Sequence, residues 1–120
     1  MVRLVILGRL DGLNDYTKAC RTNKFAGARM KRDNEWCVVH FINEQLNGKT
    51  FNKVAIRFNW YEENRRRDPD NIAFAKKFIL DALVAKGVIP NDTQTHIEHF
   101  EDYFYVDKKE PRIEVLIKEV

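Results

Sequence analysis

The chain has 120 residues, 44% of them hydrophobic and 12% aromatic, which is enough for one folded domain with a real core. Lysine and arginine total 21 against 18 acidic residues, and a net charge of +3 is weak evidence by itself for a nucleic-acid partner. Two cysteines lack the density of a disulfide framework, and the N-terminal apolar run, residues 2–7, is too short for a signal peptide or a membrane span. We therefore expect a cytoplasmic protein without a membrane partner.

Hydrophobic periodicity predicts the first elements in chain order. Residues 2–7 are rich in β-formers, which predicts a strand, and a loop with a short helical turn at 15–21 follows. Apolar residues recur at helical spacing over 29–46 and predict a helix. In the stretch 53–62, Val54, Ile56, Phe58 and Trp60 alternate with Lys53, Arg57, Asn59 and Tyr61, which predicts a strand with one buried face.

The second half of the chain predicts one more helix and two strands. Asp70 stands where a helix N-cap is expected, and residues 71–86 have a helical apolar face that ends at a glycine. Residues 96–106 and 112–120 read as strands. The predicted order is β-α-β-α-β-β, a small mixed β-sheet packed with helices in a single α/β domain over residues 1–120.

The stretch NRRRDPDNIAFAKK, residues 64–77, carries the strongest chemical signal. Proline disfavours a helical conformation for Asp68, and residues two apart in an extended chain point to the same side, so Asp68 and Asp70 are aimed at a common volume. A hard divalent ion, Mg²⁺ or Mn²⁺, would relieve the repulsion between the two carboxylates. Lys77 lies seven residues after Asp70 and is expected on the same helix face, with Asp81 one turn further.

The same residues also fit a purely structural role. Asp70 would be a helix cap, Asp68 an acid favoured by the helix dipole, and the lysines a solvated helix face. Asp92 would be an ordinary aspartate in a turn after a proline. The residues alone leave both interpretations open.

The run RRRDPDN, followed by KKFILDALVAKG and then by Asn91-Asp92, resembles the RusA family of Holliday-junction resolvases. The resemblance is specific in order and spacing over residues 65–92, and it extends more loosely to the early Asn14 loop and the closing strands. It implies a small α/β homodimer, often encoded by a phage or prophage, that acts in DNA recombination and repair. Such an enzyme nicks four-way DNA junctions symmetrically with Mg²⁺.

Carried over by position, the resemblance makes Asp68, Asp70 and Asp92 the metal ligands. Lys77 would be the catalytic lysine, and because the spacing after the acid pair differs from that of the family, Lys76 stays as the alternative. Clustered cations and the early loop supply the candidate DNA contacts, which would grip phosphates without reading bases. These contacts are Asn14, Arg29, Lys31, Arg32, Arg65, Arg66, Arg67 and Lys76.

Hydrolysis of a phosphodiester needs an activated water, neutralised phosphate charge and a stabilised leaving oxygen, which carboxylate-bound Mg²⁺ supplies in part. A two-fold homodimer would place one site on each of two opposing strands of a junction. Two other functions remain open from the sequence. One is a non-catalytic nucleic-acid-binding module, and the other is a nuclease of the same fold that acts on other branched DNA.

Overall fold

A four-stranded mixed sheet organises the chain, and the computed structural model describes residues 1–120. The strands are β1 (Val2–Leu7), β2 (Val54–Glu62), β3 (Ile97–Val106) and β4 (Arg112–Glu119). Their order in the sheet is β1-β4-β2-β3; β2 and β3 are parallel, whereas β1 with β4 and β2 with β4 are antiparallel. The predicted α/β class with a mixed sheet in one domain is therefore confirmed.

Four helices accompany the sheet: α1 (Leu13–Thr22), α2 (Ala26–Gln45), α3 (Pro69–Ala73) and α4 (Lys76–Ala85). Alternation along β2 buries Ile56, Phe58 and Trp60 in a core cluster that also contains apolar residues of α2, α3 and α4. Arg57, between them, is exposed on the opposite face. The sheet thus packs against helices on one face. None of the helices is long and apolar enough to cross a membrane.

The prediction of one continuous helix over residues 71–86 was wrong. The chain forms α3 and α4 instead, and between them the amide of Ala75 donates to Ile72 and that of Phe78 to Ala75, three residues back. Such i to i−3 bonds tighten the helical path and interrupt the regular ladder. No glycine or proline lies at this break, and the apolar spacing therefore predicted one continuous helix.

The prediction that Asp70 caps a helix was also wrong. Asp68 is the N-cap residue of α3, with an extended backbone (φ −73°, ψ 156°), and Pro69 occupies the first helical position, where its fixed φ is favourable. Asp70 already lies in the first turn. The expectation that an extended chain aims Asp68 and Asp70 to the same side therefore fails at Asp70, although Asp68 itself is extended as expected.

Candidate functional site

Arg67 fixes the loop that leads from β2 to the aspartates. Its Nε and Nη2 donate to the two carboxylate oxygens of Glu62, both at 2.8 Å, and its Nη1 donates to the carbonyl of Leu10 at 3.2 Å. The two side chains are only 13% and 9% exposed. Removing one partner of such a buried pair would leave an uncompensated charge, so the pair holds the end of β2 and the start of α3 in one geometry.

A close approach between the start of α1 and α3 fixes the other side of this loop. The buried Asn71 accepts a hydrogen bond from the backbone amide of Asn14 at 2.9 Å. A Cβ atom on Gly12 would lie 2.5 Å from Oδ1 of Asn71, so only glycine fits there. Asn14, which is predicted to contact DNA, is exposed beside this contact between α1 and α3.

Asp68 and Asp70 are both exposed at the N-terminal end of α3. Asp68 makes no capping hydrogen bond with its side chain. No three His, Cys, Asp or Glu side chains of the chain are grouped closely enough to hold a metal ion. The two carboxylates thus lie at the surface without an internal cation.

Lys77 and Asp92, which the resemblance assigns to one site, are brought together although they are 15 residues apart. Nζ of Lys77 is 3.4 Å from Oδ2 of Asp92 and 3.1 Å from Oδ1 of Asp81. The hydrogen bond that Lys77 donates to Asp81 raises the pKa of Lys77; desolvation opposes this shift, and the charges of Asp81 and Asp92 add to it. Lys77 is therefore a half-exposed ammonium that stays charged.

Lys76 has a different environment from its neighbour. Its Nζ is 2.6 Å from Oδ2 of Asp102 on β3 and lies over the rings of Phe58 and Phe100, at 5.2 and 4.7 Å from their centroids. Trp60 donates its indole N–H to the other oxygen of Asp102 at 2.9 Å. Lys76 thus ties α4 to the edge of the sheet, which favours Lys77 as the lysine beside Asp92.

The predicted DNA-contacting cations divide into exposed and engaged groups. Arg65 and Arg66 are exposed in the loop before α3, and Arg29 is exposed on α2. Arg32 lies beside Asp33 at 3.6 Å and over the ring of the exposed Trp36. Arg67 is paired with Glu62, and only 13% of its side chain is exposed.

Lys31 extends the Lys77 cluster to α2. Its Nζ is 3.3 Å from Oδ2 of Asp81 and 3.7 Å from Oε1 of Glu35. Burial raises the pKa of Glu35; the charge of Lys31 opposes this shift, and the nearby Asp81 carboxylate adds to it. A shallow groove lined by Lys31, Glu35, Lys77, Asp81 and Asp92 results.

Sequence reasoning missed Glu62 and Glu35. Glu62 ends a strand only five residues before Arg67, and an acid so placed before an arginine run is a usable, though weak, signal for the pair. Glu35 approaches Asp81 only because α2 packs on α4, and no local sequence pattern predicts that contact.

Searches against protein-family models and curated proteins return no match for this chain.

Proposed function

We propose that this chain is a structure-specific DNA endonuclease that resolves four-way junctions by paired, symmetric nicks, with Mg²⁺ as cofactor and Mn²⁺ as an alternative ion. The observation that carries the proposal is the approach of Lys77 to Asp92. The resemblance assigns both residues to one site, and their contact supports that assignment. The exposed Asp68 and Asp70 lie a short distance before this lysine in the chain.

The donor chemistry of Asp68, Asp70 and Asp92 fits a hard divalent ion, which prefers carboxylate oxygens. Asp68 and Asp70 are exposed, so a ligand has access to both. A single copy of the chain does not bring three carboxylate, histidine or cysteine side chains close enough to hold a metal ion. We therefore name the three aspartates as ligands without describing how they are arranged around the ion. When bound, the ion would activate water and neutralise charge on the phosphate.

The cations of the chain would supply the remaining functions. Lys77, as a charged and half-exposed ammonium, is suited to hold a phosphate oxygen as negative charge develops. The exposed Arg65 and Arg66 would contact flanking phosphates and position the DNA. Arg67 would act indirectly, because its pair with Glu62 fixes the loop that presents Asp68.

Two copies of the chain are needed for this reaction. Productive resolution requires nicks at symmetry-related points on two opposing strands, and a two-fold homodimer offers one site to each strand.

The proposal is tested with a labelled synthetic four-way junction, incubated with the purified protein with and without Mg²⁺. We expect paired nicks in opposing strands that DNA ligase can reseal, and no cleavage without a divalent ion. Faster cleavage of flaps or other branched substrates in the same panel would instead indicate a nuclease with another DNA preference.

One observation favours a non-catalytic DNA-binding module. Asp68 is the cap residue of α3 and Asp70 lies in its first turn, where negative charge is electrostatically favoured in any helix. Tight junction binding without cleavage, across Mg²⁺, Mn²⁺ and other divalent ions, would support this alternative and contradict the endonuclease.

A further inference from the structure

The two edges of the sheet differ in whether a side chain forms hydrogen bonds with their outer backbone groups. On β1, Gln45 of α2 accepts the amide hydrogen of Val5 at 2.7 Å and donates to the carbonyl of Val5 at 2.8 Å. This side chain occupies the middle of a six-residue edge and blocks the addition of another strand. The opposite edge, β3, is ten residues long and has no comparable cover.

The outer backbone groups of β3 follow from its pairing with β2. The amide of Asp107 donates to the carbonyl of Glu62 at 2.8 Å, so odd-numbered residues of this part of the chain direct their amides to β2. Backbone groups alternate along a strand, and the even-numbered residues therefore direct theirs outward. Free outward groups belong to Phe100, Asp102, Phe104 and Val106.

The same edge concentrates exposed apolar surface. Five of the ten exposed large hydrophobic residues lie between residues 100 and 106, and each is 38–48% exposed. Long, apolar, unpaired edges are rare in proteins that stay monomeric, because they invite strand pairing. The five residues are Phe100, Tyr103, Phe104, Tyr105 and Val106.

The acidic residues of β3 do not protect this edge. Glu98 pairs with Lys53 at 3.0 Å, Glu101 with Arg57 at 3.0 Å, and Asp102 with Lys76 at 2.6 Å. Each carboxylate thus has a cation of its own chain beside it. These pairs lower the net negative charge that an approaching strand meets, although two carboxylates placed directly opposite each other would still repel.

We propose that β3 pairs antiparallel with β3 of a second copy of this chain, around a two-fold axis at Tyr103. In this register Phe100 of each copy lies opposite Val106 of the other, which joins two exposed apolar residues. The outward backbone groups of both residues then form ladder bonds.

The neighbouring registers are less favourable. An axis at Asp102 would place two Asp102 carboxylates opposite each other, and an axis at Phe104 would place Glu101 opposite Asp107. Like charges directly opposite each other destabilise an antiparallel pair. The sequence of β3 is therefore self-complementary at Tyr103, and this is the reason to assign the edge to a second copy rather than to another protein.

The proposed interface adjoins the candidate site. Phe104, Tyr105 and Val106 line a groove together with Arg65 and Asp68. Pairing at β3 would relate the two Asp68 segments by the same two-fold axis, which suits paired nicks. That consequence rests on the proposed function, whereas the strand pairing does not.

Sedimentation equilibrium of the protein without DNA or divalent ion tests the interface. We expect a dimer, with Phe100→Glu and Val106→Lys each raising its dissociation constant at least about tenfold, as for a central interface residue. The double variant should recover most of the affinity, because opposite charges then face each other across both symmetry-related contacts. Leu7→Lys, at an exposed apolar position on the opposite edge, should leave the constant unchanged.

A monomeric protein, or a dimer that neither single variant weakens, would overturn the proposal. A dimer weakened by both single variants but not restored by the double variant would overturn the register at Tyr103. Hydrogen exchange gives a second readout, since the Phe104 and Val106 amides should gain protection as protein concentration rises. The Tyr103 amide, already bonded to β2, should be protected throughout. Because neither measurement involves cleavage, failure of the interface and failure of the nuclease proposal are distinguishable.

Discussion

Lys76 and Lys77 are adjacent in sequence, but their surroundings differ completely. The Lys76 side chain is 19% exposed, lies against two aromatic rings and pairs with Asp102 at 2.6 Å. The Lys77 side chain is 56% exposed and lies between Asp81 and Asp92. One lysine holds the helix to the sheet, and the other is accessible to a ligand.

The arginines before α3 show the same division. Arg67 forms a nearly buried, two-pronged pair with Glu62, whereas Arg65 and Arg66 are exposed. A run of cations in a sequence is therefore not one functional surface. The residues that face the sheet set the shape of the site, and their solvent-facing neighbours are available for phosphate.

The largest effect that distinguishes the two lysines is expected on catalysis. Lys77→Met should slow junction cleavage by about 100- to 1000-fold, the usual cost of removing a donor that stabilises transition-state charge. Single-turnover kinetics at saturating protein measures this rate. Lys86→Met, at an exposed lysine near the end of α4, is the control and should cleave normally. Full activity of Lys77→Met would remove this lysine from the proposed mechanism.

Removing Arg67 should have the largest effect on stability. Arg67→Ala leaves the Glu62 carboxylate buried without a partner, and we expect a loss of about 3–5 kcal/mol in the free energy of unfolding. Arg66→Ala should change it by less than about 0.5 kcal/mol, as is usual for surface positions. Urea denaturation of both variants measures the difference. Equal, small losses would show that the division between the arginines is energetically unimportant.

Lys76→Met should lower the free energy of unfolding by about 1–3 kcal/mol. The variant removes the cation beside the Asp102 carboxylate and leaves it only the hydrogen bond from the neutral Trp60 indole. A double-mutant cycle with Asp102→Asn isolates the pair, and we expect a coupling energy of about 0.5–3 kcal/mol. The matched Lys77→Met variant should unfold almost like the wild type. A coupling near zero would mean that Lys76 does not tie α4 to β3.

An exposed arginine that contacts a phosphate should increase the salt dependence of DNA binding. Arg66→Ala should reduce the slope of log affinity against log salt concentration by about one unit if Arg66 holds one phosphate. Affinity titrations over a range of salt concentrations measure the slope. An unchanged slope would exclude that phosphate contact.

The smallest expected effect concerns the pH dependence of stability through Glu35. Burial, aided by Asp81, raises the pKa of Glu35 above its ordinary 4.5 in the folded state, despite Lys31. Its stabilising contribution is therefore present below the unfolded pKa and is lost as pH rises through the folded pKa. Glu35→Gln should raise Tm relative to the wild type at neutral pH but not in acid. Calorimetry over this range checks the sign, and a variant less stable at neutral pH would contradict it.

Much of the fold was predictable because it depends on local periodicity. Alternation along β2 and the apolar spacing of α2 are each imposed by the buried face that the residues form. The break between α3 and α4 was not predictable, since Phe74 and Ala75 are compatible with a continuous helix and only the hydrogen-bond pattern changes.

The candidate site was predictable only in part. The resemblance grouped Lys77 with Asp92, and their contact needs the packing of α4 against the turn that follows it. The partners of Arg67 and Lys76 were not predictable, because a sequence does not show which of several nearby acids a cation will meet. These two contacts come from the arrangement of β2, β3 and the helices, which only the folded chain provides.

The most direct test of the account is the cleavage of a labelled four-way junction by Asp70→Asn, measured beside junction binding by the same sample. We expect cleavage to be abolished and binding to be kept or strengthened, because the change removes a negative charge that faces phosphate. Asp33→Asn, at an exposed aspartate of α2, is the matched control and should cleave like the wild type. Normal cleavage by Asp70→Asn would contradict the proposed metal-dependent site.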